Sequence, residues 1–422
     1  MNRTLALLLL LAALPANAAL EITVTGGDTG ARPVAIVPFA QGPEFSLDIA
    51  DIIQSDLARS GQFQPLARKD MLEKPSDAAQ VDWRNWRAVS VDAAVVGQVR
   101  RLPTGLSAKF QVLDVLRAQV LLAMEVPIPD PRRGRAVAHY IADRIYEKLT
   151  GVPGYFSSQI AYVAVTGPAS ARQFQIVIAD ADGAGPTTVA TSREPLMSPV
   201  WSPDRRQLSY VGYERGRSAI YIHTLATGEL RKLVSERGIN GAPAWSPDGT
   251  RMAVTMSFES NPDIYVIDLA SGARKQITSH YAIDTEPTWS PDGREIAFTS
   301  DRGGQPQVYL VSAGGGEAKR VTFEGKQNSA ARYSPDGKRL ALVNYDGSSY
   351  RIGLLELASR ELRLVSDGPL DESPSFAPNG AVVIYAAQSR NELATVSVDG
   401  RIRQRLAQPG EVREPVWAPA AR

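Results

Sequence analysis

The chain has no cysteine. That excludes disulfides, thiolate zinc ligands, a cysteine nucleophile and a lipid-bearing N-terminal cysteine. Histidine is scarce, with only His139, His223 and His280. The three fall in separate parts of the sequence without metal-ligand spacing, so no zinc site is expected. After the first 18 residues, no stretch approaches the ~20 apolar residues that span a bilayer. Neither sign of charge is in excess. Without those 18 residues, which hold Arg3 and no acid, 45 basic residues face 45 acidic ones. Such a balance lacks the basic footprint that nucleic acid or anionic lipid requires. There is no G-x-S-x-G elbow, no H-E-x-x-H and no P-loop, so the common hydrolase and nucleotide signatures are missing.

The first 18 residues have a processing pattern. Arg3 supplies the positive start, Leu5 to Leu14 form an apolar run, and Pro15 breaks it. Ala16-Asn17-Ala18 is a small-x-small cleavage site. Residues 1–18 are therefore expected to be a cleavable signal peptide, and the remainder an exported, soluble protein.

Residues 19–150 read as a small mixed α/β domain. EITVT (21–25) alternates like a strand, and PVAIVPF (33–39) reads as a buried one. A helix is expected from Ser46 as N-cap, with Ile49, Ile52, Ile53 and Leu57 on one face and Gly61 past its end. Strands are expected at 93–99, 107–115 and 120–128. A second helix over 134–150 carries a stripe of Val137, Ile141, Ile145 and Leu149, joined by Tyr140, and Gly151 stops it. GVPG (151–154) is the expected domain boundary.

From residue 155 on, the chain repeats itself. WSPDG occupies 245–249 and again 289–293. Weaker copies are WSPDR from Trp201, YSPDG from Tyr333, FAPNG from Phe376 and WAPAA from Trp417. The aromatics are 44, 44, 44, 43 and 41 residues apart. A fixed period of this size marks an array of one supersecondary unit. Each unit reads as four strands, as in RMAVTMS (251–257), DIYVIDL (263–269), RKQIT (274–278) and EPTWSP (286–291), which fits a propeller blade. Ser, Pro, Asp and Gly sit where a type I turn favours each of them. The preceding aromatic is large enough to wedge between blades. The first three strands after the boundary lack an anchor aromatic, and the last anchor lacks following strands. The expected fold is thus α+β and multidomain: an N-terminal α/β domain (19–150), then a six-bladed β-propeller (155–422) closed by the C-terminal strand.

Some polar segments suit a site. The loops before the inner strands carry Asn240-Gly241-Ala242, Asp284-Thr285-Glu286, Asp371-Glu372-Ser373 and Arg413-Glu414. Such loops gather at one mouth of a propeller channel. They are expected to form either a solvated rim or an acidic funnel that grips a peptide or a cation. GGG (314–316) and DADG (180–183) are read as hairpin turns, not as a dinucleotide loop or a calcium loop.

The segment YEKLTGVPGYFSSQIAYV (146–163), with PLMSPVWSPD, NGAPAWSPDG, TEPTWSPDGREIAFTSDRGGQPQVYLV and DESPSFAPNG, resembles the TolB family. These are periplasmic propeller proteins of the Tol–Pal envelope system of Gram-negative bacteria. The resemblance implies a non-catalytic, monomeric periplasmic adaptor that needs no cofactor, with room for a calcium ion in the channel. It implies binding of the lipoprotein Pal at the channel mouth, and a role in outer-membrane invagination at division and in envelope integrity. The candidate residues there are Asn240, Gly241, Ala242, Asp284, Thr285, Glu286, Pro287, Glu372, Ser373, Arg413 and Glu414. Ile239 is left out, because a polar residue would suit that spot better. The resemblance also implies binding of TolA through the N-terminal strand Ala19, Leu20, Glu21, Ile22, Thr23, Val24 and Thr25, by addition to a sheet edge. It leaves room for other Tol-system or outer-membrane partners. The alternative is a secreted propeller hydrolase or lactonase with channel carboxylates and calcium. Ala331 stands where the other anchors have proline two positions before the aromatic, and the last two anchors are degenerate. Local blade geometry at those three units is therefore open.

Overall fold

The computed structural model describes residues 21–24, 30–103, 105–257, 261–406, 408 and 410–420, with side chains from residue 30 on. The expected signal peptide, and Ala19, Leu20 and Thr25 of the expected partner strand, lie outside the described residues.

The N-terminal part runs β1 (Glu21–Val24), β2 (Arg32–Ile36), α1 (Ile49–Arg59), β3 (Phe63–Pro65), α2 (Trp83–Ala88), β4 (Ala93–Leu102), β5 (Gly105–Asp114), β6 (Gln119–Ile128) and α3 (Gly134–Thr150). Its sheet has the order β3-β2-β4-β5-β6, parallel at β2 and antiparallel beyond β4. Helices α1 and α3 bury Ile49, Ile53, Leu57, Ile141 and Ile145 in the main core. Two helix details differ from the sequence reading. Asp48, not Ser46, caps α1, its Oδ1 accepting from Asp51 N at 3.0 Å. Leu47 packs on the core before the helix starts, which leaves Ser46 outside it. Tyr140 is exposed, because one residue before Ile141 on a helix is about 100° off the buried stripe. Gly151 ends α3 in the left-handed region, at φ 78°.

The rest is a six-bladed propeller. The inner strands are Leu196–Trp201, Asn240–Trp245, Asp284–Trp289, Gln327–Tyr333, Asp371–Phe376 and Glu411–Trp417, of blades 1 to 6. In blades 1 to 5 the outer three strands follow their inner strand in sequence. Blade 6 is made from both ends: Glu411–Trp417 pairs with Gln159–Thr166, with Val412 opposite Ala164 and Trp417 opposite Ile160. The expected clasp is present, and it covers two strand edges.

The repeated motif forms the turn expected of it. Gly249 N donates to Ser246 O at 2.9 Å, and Gly293 N to Ser290 O at 2.9 Å. Ser246 Oγ also accepts from Arg251 N and donates to Asp248. That hydrogen bond from Ser246, with one from the Thr250 backbone, holds the Asp248 carboxyl down at about 2. The aromatics do wedge between blades. Trp289 packs with Ala244 and Ala253 of the preceding blade, and its Nε1 donates to Ala244 O at 3.1 Å. Trp417 joins Ile384 and Phe156, and its Nε1 donates to Ser158 Oγ at 2.6 Å.

One assignment is corrected. β1, grouped by the sequence with the N-terminal domain, is a fifth strand of blade 5. It pairs antiparallel with the outer strand Ile402–Leu406, Glu21 opposite Arg405 and Val24 opposite Ile402. A blade's outer edge presents unpaired N–H and C=O groups, and an added strand satisfies them. The same outer strand touches the N-terminal domain. Gln404 donates to the Arg59 carbonyl. Gly61, at φ 67°, lies so close to Ile402 that a Cβ there would come within 2.1 Å of its Cγ1.

Candidate functional site at the propeller channel

Six equivalent residues line the channel in an unusual conformation. Ser198, Ala242, Glu286, Ala330, Ser373 and Glu414 all have φ between 47° and 56°. Each stands three residues before its blade's aromatic and marks a register shift in the inner strand. This is a β-bulge repeated around the ring. The left-handed region costs a non-glycine residue roughly 1–2 kcal/mol. In five blades a proline follows, a residue suited to a bulge because it has no N–H to leave unpaired. Blade 4 has Ala331 there and keeps the same bulge, as do blades 5 and 6, so the degenerate anchors leave the geometry intact.

The bulge N–H groups explain two of the acids. Glu286 Oε2 accepts from Ala330 N at 2.9 Å, across to the next blade, and from Thr299 Oγ1 at 2.8 Å. Glu414 accepts from Ser198 N, closing the ring from blade 6 to blade 1. Both therefore staple neighbouring blades.

The expected acidic opening needs correction at three positions. Asn240, Asp284 and Asp371 are fully buried. They are the first residues of their inner strands, not loop residues, and the side chains of Asn240 and Asp371 turn back to hold the incoming chain. Asn240 binds both the N–H and the C=O of Glu236, at 3.0 and 2.8 Å. Asp371 accepts from Gly368 N at 2.9 Å. Asp284 pairs with Arg302 at 2.7 Å, and that guanidinium also lies over the Phe298 and Tyr309 rings. Asn328 does the same work in blade 4, with a 2.8 Å bond to Glu324 O, and sequence reasoning passed over it.

The other candidates, Pro287 excepted, are partly exposed along the channel. Thr285 Oγ1 accepts from Thr255 Oγ1 at 3.3 Å, and Pro287 is buried beside its bulge. Gly241, Ala242, Glu372 and Ser373 are half-buried, and Arg413 pairs with Glu411 on its own strand. Burial raises the Glu372 carboxyl, opposed by Arg413. Burial also raises Glu414, opposed by its Ser198 bond and by Arg413 and Arg332. Arg332, itself lowered by burial, faces Glu286 and Glu414. The channel thus mixes acids and arginines, most of them with partners inside the protein.

The rim is different. The loops leading into the inner strands of blades 2 to 4 expose large apolar side chains: Ile239 at 50%, Tyr281 at 85%, Ile283 at 49% and Phe323 at 65%. The blades are equivalent, so these loops lie on one face. Their backbones are fixed, with Ile239 N bonded to Ser257 Oγ and Ile283 N to Asp301 Oδ1, each at 2.8 Å. Exposed apolar side chains grouped on anchored loops mark an interaction surface. Ile239, set aside on the sequence for being apolar, belongs to it. The missed signal was a large apolar residue just before Asn240 and Asp284.

Known proteins match this architecture. The family model described as the TolB amino-terminal domain matches residues 20–121, and that of the TolB beta propeller domain matches residues 146–421. The Tol-Pal system protein TolB of Methylococcus capsulatus is 60% identical over 418 residues, covering 99% of this chain and 98% of the relative. That of Thioalkalivibrio sulfidiphilus is 56% identical over 432 residues, covering 99% and 98%. The crystal structure of TolB from Acinetobacter baumannii superposes with a TM-score of 0.88 at 40% identity, over 95% of this chain and 99% of that one. Two domain models and similarity over nearly the full chain agree with the two-part fold, and the chain belongs to the TolB family of Tol–Pal system proteins.

Proposed function

We propose that the protein is a non-catalytic periplasmic adaptor that binds Pal at the propeller mouth and TolA through its N-terminal strand. Through these contacts it serves outer-membrane invagination at division and envelope integrity. The apolar rim carries this reading: Ile239, Tyr281, Ile283 and Phe323 offer a partner exposed apolar area on loops that need little further ordering. Addition of β1 to the blade 5 edge supports the second contact, since a strand held by edge pairing can pair with another edge. The hydrolase alternative is weakened where its acids would have to act. Glu286 and Glu414 are committed to neighbouring backbone, and Asp284 to Arg302. The adaptor reading requires no cofactor.

Calorimetric titration of the chain from Ala19 with the soluble domain of its own Pal tests it. Micromolar or tighter binding is expected, lost in Tyr281→Ser/Ile283→Ser with unchanged Tm. A well-folded protein that does not bind Pal, or that turns over ester or lactone substrates with calcium, would overturn the reading. Deleting residues 19–25 is expected to abolish TolA binding and leave Pal binding measurable.

A further inference from the structure

Three elements bring a charged cluster together at the seam between the domains. α1 contributes Asp56 and Arg59, α3 contributes Arg135 and His139, and the second hairpin of the propeller contributes Asp180 and Asp182. Asp56, Arg59 and His139 are almost wholly buried. His139 Nδ1 lies 2.6 Å from Asp56 Oδ2. Its Nε2 lies 3.2 Å from Arg135 Nη2, 3.7 Å from Asp180 Oδ2 and 3.9 Å from Asp182 Oδ2. Arg135 also reaches Asp182 at 2.7 Å, and Arg59 reaches it at 3.7 Å. Asp143 of α3 and Tyr155 of the interdomain segment add their fields from behind Asp56 and Arg59.

The arithmetic of charge is informative. Asp56, Asp180 and Asp182 against Arg59 and Arg135 leave one negative charge, which is costly at a buried seam. An imidazolium cancels it. A metal ion on Asp56, His139 and Asp182, whose donor atoms lie within 4.8 Å of one another, would sit against two guanidiniums already pointing there. The ring has partners in both charge states. Neutral, it donates from Nδ1 to Asp56 and accepts from Arg135. Protonated, its Nε2–H turns to Asp180, and Arg135 keeps Asp182. The neutral ring thus bonds only within its own domain, whereas the charged ring bonds across the seam.

We propose that His139 is a pH-sensitive latch between the two domains: protonation ties α3 to the Asp180–Asp182 hairpin, and deprotonation loosens the seam. Burial opposes the charged ring, but the nearby Asp180 and Asp56 carboxylates outweigh it, and the pKa lies above the ordinary 6.5. A raised folded value means that the latch is fully engaged below 6.5 and lost as pH rises through that higher value.

The absence of cysteine allows clean labelling. Arg84→Cys, in the N-terminal domain, and Lys275→Cys, in blade 2, both replace exposed side chains and can carry spin labels. The interdomain distance distribution is expected to be narrow at low pH and to broaden as His139 loses its proton. In His139→Gln the pH dependence is expected to vanish. In Asp180→Asn the His139 midpoint, read by NMR on the full chain, is expected to fall by about one pH unit. A distribution that ignores pH across the His139 titration overturns the latch. So does a midpoint unmoved by Asp180→Asn, or a pH dependence that persists in His139→Gln. If His139→Gln does not fold, the half-buried Asp180 decides through its own variant.

Discussion

In blade 3, Ile283 and Glu286 stand three residues apart and have opposite fates. Glu286 is charged, faces the channel, and is bonded to the next blade. Ile283 is apolar, sits on the rim, and leaves its side chain half exposed. The same contrast holds between Asn240 and Ile239 in blade 2. A polar side chain near a binding face serves the fold when protein groups satisfy it. A large apolar side chain left outside a folded core is available to something else. The wall of the channel holds the ring together, and the rim is free to bind.

Four experiments would break or sharpen that contrast. The largest effect is expected from ending the chain at Gly410, which removes the inner strand of blade 6. The ring should open, and thermal unfolding followed by circular dichroism should lose its single cooperative transition. Glu286→Ala removes the carboxylate that accepts from both Ala330 N and Thr299 Oγ1, leaves Ala330 N only its 3.2 Å bond to Thr299 Oγ1, and should cost about 1–3 kcal/mol in urea unfolding. A cost near zero would mean that the staple is ornamental and would return Glu286 to the pool of binding residues. Ala331→Pro gives blade 4 the residue that the other bulges have and should gain about 0.4–1 kcal/mol in the same assay. The smallest effect concerns the turns. Asp248 is held at about 2 in the folded state against an ordinary 3.8. Its contribution is present above 3.8 and fades as pH falls through 2. The Tm gap between the protein and Asp248→Asn should therefore be steady above about pH 4 and close toward pH 2.

The ring was legible because its signals are local. A Ser-Pro-Asp-Gly turn needs those residues at consecutive positions, so each blade shows them in the sequence. The mismatch between the first strands and the last anchor was enough to infer the clasp. The bulge was not legible, since Ser, Ala and Glu all occupy it and only the following proline hints at it. Asp284 was read as a mouth residue because its partner Arg302 lies in the turn that follows the next strand, and sequence shows charge without showing burial. The same limit hid the cluster around His139. Asp180 and Asp182 were read correctly as a hairpin turn, but their partners lie on α1 and α3. The docking of β1 on blade 5 is likewise a matter of which free edge lies near, which no period records.

The clasp also sets a clock. The bond from Trp417 to Ser158 spans 259 positions. The ribosome makes Gln159–Thr166 long before Glu411–Trp417, so one blade waits through the synthesis of five others. During that wait its inner edge is open to strands of other chains. Contacts this far apart in sequence also slow the search for the native state. A closed propeller resists fraying once complete, and the same closure makes its birth the period when the protein most needs a guardian.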